Sequence, residues 1–328
     1  MTKTIPFFNY PALYAREEKD LAPIILNVLK RGAYIMQKDL LQFEENLGGY
    51  LGVRHVIGVA DGTVALMMGL RAAGIGAGHE VIVPSHTFVA SAAAIHHVGA
   101  TPVLADCGPD HWIDAADVER KIGSRTRGIM PVQLNGRTAN MDGILALAQR
   151  HGLMIVEDSA QALGSRFKGR FAGTFGVAGT CSFYPSKTLG CFGDGGAVFT
   201  DDDGAAEYMR LLRDHGRATS GDVVVWGYNS RLDNLQAAVL DYKLKHYDGE
   251  VARRREIAST YDEQLRGLPG LTLPPAPDGD PDHFDIYQNY EVESDQRDSL
   301  RAHLDACGVK TIIQWGGRSE SRWSDSTS

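Results

Sequence analysis

The stretch LMIVEDSAQALGS, residues 153–165, begins with a short apolar run that is followed directly by two acids, Glu157 and Asp158. An apolar run of this length is typical of a strand that is covered on both faces, as in parallel sheets. In open α/β sheets, ligands bind beyond the carboxyl ends of the strands. The two acids therefore stand where a ligand could bind. Taken alone, however, the motif is explained equally well by a helix cap or a solvated loop.

Similar short apolar runs lie on both sides of this stretch. They cover residues 55–60, 80–85, 101–106, 128–134, 179–185 and 195–201. Segments of helical length and pattern separate several of them, at 63–74, 90–99, 114–122 and 140–152. Strands that alternate with helices predict an α/β fold, with a largely parallel sheet flanked by helices.

The rest of the chain predicts additional helices and a second, smaller domain. Helical patterns cover residues 13–31, 38–51 and 231–265, the last as one or two helices. A Pro- and Gly-rich loop or linker follows at 267–284, and then a strand, a helix and a strand at 286–293, 296–308 and 309–315. We expect a large domain at 1–250, a small C-terminal domain at 251–317 that looks incomplete, and a polar tail at 318–328.

Composition limits the possible partners. The 328 residues carry a net charge of −8, which argues against a nucleic-acid-binding surface. None of the four cysteines, Cys107, Cys181, Cys191 and Cys307, forms a C-x-x-C pair, a pattern that suits a reduced compartment better than a disulfide framework or a zinc site. No apolar run has the length of a signal peptide or a membrane helix. We expect a cytoplasmic protein without a membrane partner.

A second motif, SFYPSKTLG at 182–190, places Lys187 in a short polar turn after a predicted strand. By itself it is most simply a surface lysine, since lysine is rarely buried. A lysine amine can also form a Schiff base with an aldehyde, and a carboxylate such as Asp158 can keep a pyridine nitrogen protonated. Pyridoxal phosphate requires both groups. Because Asp158 and Lys187 follow different strands, they could converge on one pocket.

A third motif could bind the phosphate of such a cofactor. VADGTVALMMGL at 59–70 predicts a strand, a glycine turn and a helix, with Gly62 and Thr63 at the helix start. Free N–H groups and the helix dipole favour an anion at that place. The ordinary alternative is a helix capped by Thr63. GIGAG at 74–78 does not complete a G-x-G-x-x-G fingerprint, which disfavours a nicotinamide-dependent oxidoreductase.

Together these motifs resemble the DegT/DnrJ/EryC1/StrS family of pyridoxal-phosphate-dependent sugar aminotransferases. The similar stretches come in the family's order and cover most of residues 5–265. They are DGTVALMMGLRAAGIGAGHEVIVPSHTFVAS, GATPVLAD, RGIMPVQLNGRTANMDGI, VEDSAQALGS, FGVAGTCSFYPSKTLGCFGDGGAVFT and WGYNSRLDNLQAAVL. The resemblance implies an aspartate-aminotransferase-like fold (fold type I). It also implies a homodimer with a shared active site, a nucleotide-linked keto-sugar substrate, and L-glutamate or glutamine as amino donor.

The resemblance implies roles for four residues around the cofactor ring. Lys187 would form the Schiff base with the cofactor and then shuttle a proton between the alpha carbon and the cofactor carbon. Asp158 would pair with the pyridine nitrogen, and Gln161 would reach the ring hydroxyl. Phe88 would stack on the ring face, although by sequence pattern alone it is more simply a core residue.

The resemblance also implies a phosphate site. Gly62, Thr63 and Ser182 would hold the phosphate, and Asn229 would reach the phosphate of a neighbouring subunit. Asp61 stands where family members often carry Asn or Ser. Because its carboxylate would repel a phosphate, we expect it to point away or to be held by a donor. A further departure, NGRTANM at 135–141, lies where substrate specificity could change.

Two alternatives remain open at this point. One is the family's dehydratase branch, in which histidine replaces the lysine. Lys187 argues against it, and neither His86 nor His215 occupies that position. The other is a non-catalytic relative, which would be a cofactor-binding or partner-regulating protein, or a truncated remnant. The retained pair of Lys187 and Asp158 argues against it, whereas the unusual carboxyl-terminal end argues for it.

Overall fold

The computed structural model describes residues 4–315 of the chain. The helices are α1 (Tyr10–Arg31), α2 (Lys38–Leu51), α3 (Gly62–Ala72), α4 (Val89–His97), α5 (Ala115–Lys121), α6 (Met141–His151), α7 (Asp203–Arg213), α8 (Asn234–Leu244), α9 (Tyr247–Leu265) and α10 (Arg297–Ala306). Along residues 4–315, no helix has both the length and the apolar character that crossing a membrane requires.

Seven strands form the central sheet: β1 (His55–Val59), β2 (Glu80–Pro84), β3 (Thr101–Ala105), β4 (Thr126–Ile129), β5 (Met154–Asp158), β8 (Ala178–Ser182) and β9 (Gly196–Thr200). Short two-residue strands are β6 (Arg166–Phe167), β7 (Arg170–Phe171), β10 (Leu271–Thr272), β11 (His283–Phe284) and β12 (Glu293–Ser294). Each of the seven apolar runs found in the sequence overlaps a strand of the central sheet, although the run 128–134 does so only through Gly128 and Ile129 at the end of β4.

The central sheet is mixed and mostly parallel. Its strand order is β1-β9-β8-β5-β4-β2-β3, and only β9 runs antiparallel to its neighbours. Successive residues of β9 point to opposite faces, as in any strand. Val198 lies in the core that contains Leu66 of α3, whereas Phe199 lies in the core that contains Phe43 of α2. The α/β prediction is therefore confirmed, with helices on both faces of the sheet.

Helix ends follow signals that are visible in the sequence. Helix α1 begins after Asn9, whose side chain accepts a hydrogen bond from the N–H of Ala12, and ends at Gly32 in the left-handed conformation. Helix α6 begins after Asn140 and ends at Gly152 in the same way. The pattern at 231–265 forms two helices, α8 and α9.

Both strand predictions near the carboxyl end were wrong in their main part. The helix predicted at 296–308 is present as α10, but residues 286–292 and 309–315 form no strand ladder. A strand requires a neighbouring strand for its backbone hydrogen bonds. The N–H of Ile286 instead donates to the carbonyl oxygen of Gly136 in a loop (2.8 Å). The predicted polar tail, 318–328, lies outside the described residues.

Candidate active site

Asp158 is the last residue of β5 and its carboxylate is firmly held. It is 5% exposed. Its Oδ2 accepts a hydrogen bond from the Ser91 hydroxyl (2.7 Å), and its Oδ1 accepts one from the N–H of Ala160 (3.1 Å). Thr87 and Ser91 are joined through their hydroxyl groups (2.8 Å). The carboxylate at this strand end is thereby fixed in one orientation.

Ser91 is not among the site residues predicted from the sequence. This serine lies on α4, 67 residues before Asp158, and only the packing of α4 on the sheet brings the two together. Thr87 precedes α4 and Ser91 lies in its first turn, so the contact between their hydroxyl groups is local. No local signal indicates that the pair faces an acid on another element.

Glu157, the other acid of β5, has a structural role. It is fully buried, and its carboxylate accepts bonds from the Gln133 amide (2.7 Å) and from three backbone N–H groups in the loop 173–176. Burial raises the pKa of Glu157, and these donors partly offset that effect. Because its acceptor positions are engaged in holding the loop, Asp158 is the acid available to a ligand.

Lys187 lies in the loop after β8, the strand next to β5 in the sheet. Its own N–H donates to the carbonyl oxygen of Tyr184 (2.8 Å), which closes a turn. Burial lowers the pKa of the Lys187 amine, and the negative charge of Asp158 raises it in part. The two side chains therefore interact electrostatically. A lowered pKa also increases the fraction of neutral, nucleophilic amine.

The start of α3 and the end of β8 meet at the same edge of the sheet. A Cβ atom added to Gly62 would lie 2.9 Å from the Cβ of Ser182, so only glycine allows this approach. The cap of α3 is Asp61, whose carboxylate accepts a hydrogen bond from the N–H of Val64 (2.9 Å). The alternative that Thr63 caps this helix was therefore wrong, and Asp61 is held by a donor as expected.

Phe88 lies three residues before Ser91 in the chain, and Gln161 lies three residues after Asp158. Phe88 directly precedes α4 and is 55% exposed, so the core position that its sequence pattern favours was wrong. Gln161 follows β5, and its Oε1 accepts a hydrogen bond from the N–H of Asn135 (2.8 Å). Asn135 belongs to the segment 135–141 that departs from the usual family pattern, and it thus contacts a proposed cofactor residue.

Asn229 stands apart from this group. It is exposed, it pairs through its backbone with Asp214, and its Oδ1 accepts a hydrogen bond from Arg231 (2.5 Å). It lies at the base of an arm, residues 215–228, in which Gly216 and Gly227 pack closely. A Cβ on Gly227 would lie 2.2 Å from the nitrogen of Gly216. The prediction that Asn229 acts in a neighbouring subunit stays a prediction.

The residues present fit pyridoxal phosphate. An amine with a lowered pKa and a fixed carboxylate come from adjacent strands. The cradle between Gly62 and Ser182, which a Cβ would fill, offers the helix start and a hydroxyl group to a phosphate. Phe88 presents an exposed aromatic ring.

Comparisons with known proteins agree with this geometry. The model of the DegT/DnrJ/EryC1/StrS aminotransferase family matches residues 15–319. The dTDP-3-amino-3,4,6-trideoxy-alpha-D-glucose transaminase of Streptomyces venezuelae is 44% identical over 96% of this chain and 82% of its own length. The UDP-N-acetyl-3-dehydro-alpha-D-glucosamine 3-aminotransferase of Acidithiobacillus ferrooxidans is 40% identical over 95% and 84%.

A solved structure is similar as well. The X-ray structure of S. venezuelae DesV in complex with a ketimine intermediate matches with a TM-score of 0.92 and 44% identity, over 95% of this chain and 84% of that one. The family match and the fold agree with the resemblance that the motifs indicate. The chain belongs to the DegT/DnrJ/EryC1/StrS aminotransferase family.

Proposed function

We propose that this protein is a pyridoxal-phosphate-dependent aminotransferase that moves an amino group from L-glutamate or glutamine to a keto sugar carried on a nucleotide. The observation that carries the proposal is that adjacent strands bring together Lys187, whose pKa burial lowers, and Asp158, which Ser91 holds in place. Relatives named as transaminases of dTDP- and UDP-linked sugars support a nucleotide-linked substrate.

Each proposed residue has a task that its surroundings favour. Bound pyridoxal phosphate supplies an electron sink for the carbon that loses its proton. Lys187 would take that proton at Nζ and return it, which requires a neutral amine. Asp158 would face the ring nitrogen from a fixed position. The N–H groups at the start of α3 and the Ser182 hydroxyl would bind the phosphate.

We also propose that a second copy of the chain completes the site. The arm 215–228 exposes large apolar side chains, with Trp226 at 87%, Val223 at 61% and Val224 at 56%. Apolar side chains clustered on an exposed surface are typical of interfaces. Asn229, at the base of this arm, is exposed and would then reach the phosphate of the partner's site.

The proposal is tested by following the first half of the reaction. The purified chain is incubated with pyridoxal phosphate and either L-glutamate or L-glutamine, and the oxo acid released is measured. We expect about one oxo acid per bound cofactor, and Lys187→Ala should lower the rate by about 10³-fold, the contribution of a general acid–base group.

A matched control is Lys245→Ala, since Lys245 is an exposed lysine paired with Asp241. It should react at the wild-type rate. A folded wild-type protein that binds the cofactor yet releases no oxo acid from either donor would contradict the proposed reaction. A folded protein that does not bind the cofactor would favour the non-catalytic alternative.

A further inference from the structure

The amide side chain of Gln288 contacts the backbone on both sides of Lys187. Its Nε2 group donates to the carbonyl oxygen of Ser186 (2.8 Å), and its Oε1 accepts from the N–H of Thr188 (2.8 Å). Gln288 is 8% exposed, so water competes little for these bonds. Because both bonds come from one planar amide, they restrict the orientation of this segment as well as its position.

Gln288 is itself held from two directions. Arg254 of α9 donates to the carbonyl oxygens of Tyr287 (3.1 Å) and Gln288 (3.3 Å). On the opposite side, a Cβ added to Gly136 would lie 2.5 Å from the nitrogen of Gln288. The backbone of Gln288 therefore packs closely against the loop that contains Gly136, and its amide has a firm support.

Thr188 receives a further contact. Its hydroxyl lies 2.7 Å from the hydroxyl of Tyr247, which donates its single hydrogen to the carbonyl oxygen of Leu163 (2.6 Å). Thr188 is therefore the donor to Tyr247. These bonds hold the backbone next to Lys187, whereas the amine stands at the end of a flexible four-carbon stem. The place of the amine thus depends on where the backbone is held.

We infer that Gln288 is a positioning residue for Lys187, which acts by holding the peptide groups on either side of the lysine. The inference rests on the proposed function, because it concerns the bond between the lysine amine and an aldehyde. It predicts a specific defect. Without the Gln288 amide, the amine should react with the cofactor aldehyde more slowly, while the sites for the ring and the phosphate remain.

The chain offers a matched control in Gln236 of α8. Its Nε2 donates to the carbonyl oxygen of Phe192 (3.1 Å), and its Oε1 accepts from the N–H of the same residue (2.9 Å). Gln236→Ala therefore removes the same kind of amide clamp from the same loop, five residues beyond Lys187. An effect of Gln288→Ala that Gln236→Ala lacks belongs to the lysine and not to general loosening of the loop.

The experiment separates attachment of the cofactor from its binding. Cofactor-free full-length protein is mixed with pyridoxal phosphate at pH values from 6 to 9, borohydride is added at intervals, and the label on the Lys187 peptide is quantified by mass spectrometry. In parallel, the Kd of pyridoxamine phosphate is measured. That compound has the same ring and phosphate but no aldehyde.

We expect Gln288→Ala to slow the labelling of Lys187 by about tenfold or more, since small misplacements of reacting groups have effects of this size. Its Kd for pyridoxamine phosphate should stay within about twofold of wild type, because the contacts that bind the ring and the phosphate do not involve Gln288. Gln236→Ala should match wild type in both measurements. Gln288→Glu keeps the acceptor for Thr188 but loses the donor to Ser186 until it is protonated, so its defect should shrink at low pH.

Other results would overturn the inference. Wild-type labelling in Gln288→Ala would show that the amide does not position the lysine. An equal loss of pyridoxamine phosphate binding would assign Gln288 to the site as a whole. If Gln288→Ala does not fold, Gln288→Glu decides the matter: at pH 9 its carboxylate cannot donate to Ser186, so labelling of Lys187 at the wild-type rate there would contradict the inference. A wild-type protein that binds neither compound would overturn the proposed function, and this inference with it.

Discussion

At the scale of single residues, burial and hydrogen bonding separate side chains that look equivalent in the sequence. Glu157 and Asp158 are adjacent acids. Glu157 accepts hydrogen bonds from four donors inside the fold, whereas Asp158 lies at the carboxyl end of β5, where its charge acts on Lys187. The same effects act on Glu291, a carboxyl that the sequence analysis did not single out. Its burial next to Glu293 has a measurable consequence.

Glu291 should make the stability of the protein depend on pH. Burial is the main reason that the pKa of its carboxyl is raised to about 7, Glu293 raises it further, and His111 and the hydrogen bond from Asn135 lower it. A raised pKa means that the folded state binds the proton more tightly than the unfolded state. The stabilisation is therefore present at acidic pH and is lost as the pH rises from about 4 through 7.

We expect Glu291→Gln to gain stability relative to wild type as the pH rises. The difference in free energy of unfolding between variant and wild type should be about 2 kcal/mol more favourable to the variant at pH 8 than at pH 5. The amide keeps an acceptor for Asn135 and has no charge to bury. Urea denaturation of both proteins at pH 5, 6, 7 and 8 measures this double difference, in which other titrating groups cancel. Glu256→Gln, an exposed carboxyl on α9 that is paired with Arg253 and does not act on Glu291, serves as the control. Parallel stability curves for wild type and Glu291→Gln would contradict the assignment.

At the scale of elements, the site depends on the meeting of a helix start with a strand end. Helix α3 begins at Gly62, and β8 ends at Ser182. The two residues are so close that a methyl group on Gly62 would collide with the Cβ of Ser182. Strand β1 leads into this helix and runs parallel to β8, so both arrive at the same edge of the sheet. Gly62 is needed here because the two elements approach each other so closely.

Gly62→Ala should weaken phosphate binding while the fold persists. The added methyl group would push the first turn of α3 away from Ser182 and separate the proposed phosphate ligands. We expect about a tenfold higher Kd for pyridoxamine phosphate, in line with the loss of one good hydrogen bond to a charged group. Isothermal titration measures it directly.

Gly49→Ala is the matched control, because Gly49 lies in helix α2 with no atom within 4 Å of the added methyl group. It should leave the Kd unchanged and stabilise the helix slightly. A Kd for Gly62→Ala equal to that of wild type would show that the start of α3 does not bind the phosphate.

At the scale of the whole molecule, the surface of the single chain contains features that suit an assembly. Trp226, on the arm 215–228, is exposed over 87% of its area, which is unusual for so large an apolar side chain. Its carbonyl oxygen accepts a hydrogen bond from Arg71 of α3, so the arm is tied to the helix that begins at the proposed phosphate site.

Trp226→Glu should separate the proposed dimer without unfolding the chain. A charge at the centre of an apolar interface removes a residue type that often dominates binding, so we expect the dimer Kd to rise by at least about 30-fold. Light scattering during size-exclusion chromatography measures the mass, and circular dichroism checks the fold. Leu104→Glu, on the edge strand β3, is the control. A variant that remains dimeric, or a monomeric wild type, would contradict the proposed interface.

The amino-acid pattern was enough to predict the α/β class, the seven strands of the central sheet and the helices between them. These features depend on the hydrophobic pattern within short segments, which the chain carries locally. The sequence also indicated Lys187 and Asp158, because the residue type alone shows which positions carry an amine or a carboxylate. Their roles, like those of the other predicted site residues, stay predictions.

Which distant groups meet, in contrast, depends on how the elements pack against each other. Packing pairs Ser91 with Asp158 and makes Asp61 the cap of α3. The segment 286–293, predicted as a strand, instead places Gln288 where its amide bonds the backbone on either side of Lys187. A strand or a hydrogen bond forms only where a partner is present, and that partner belongs to another part of the chain. Local pattern contains no information about such partners, so packing alone selects them.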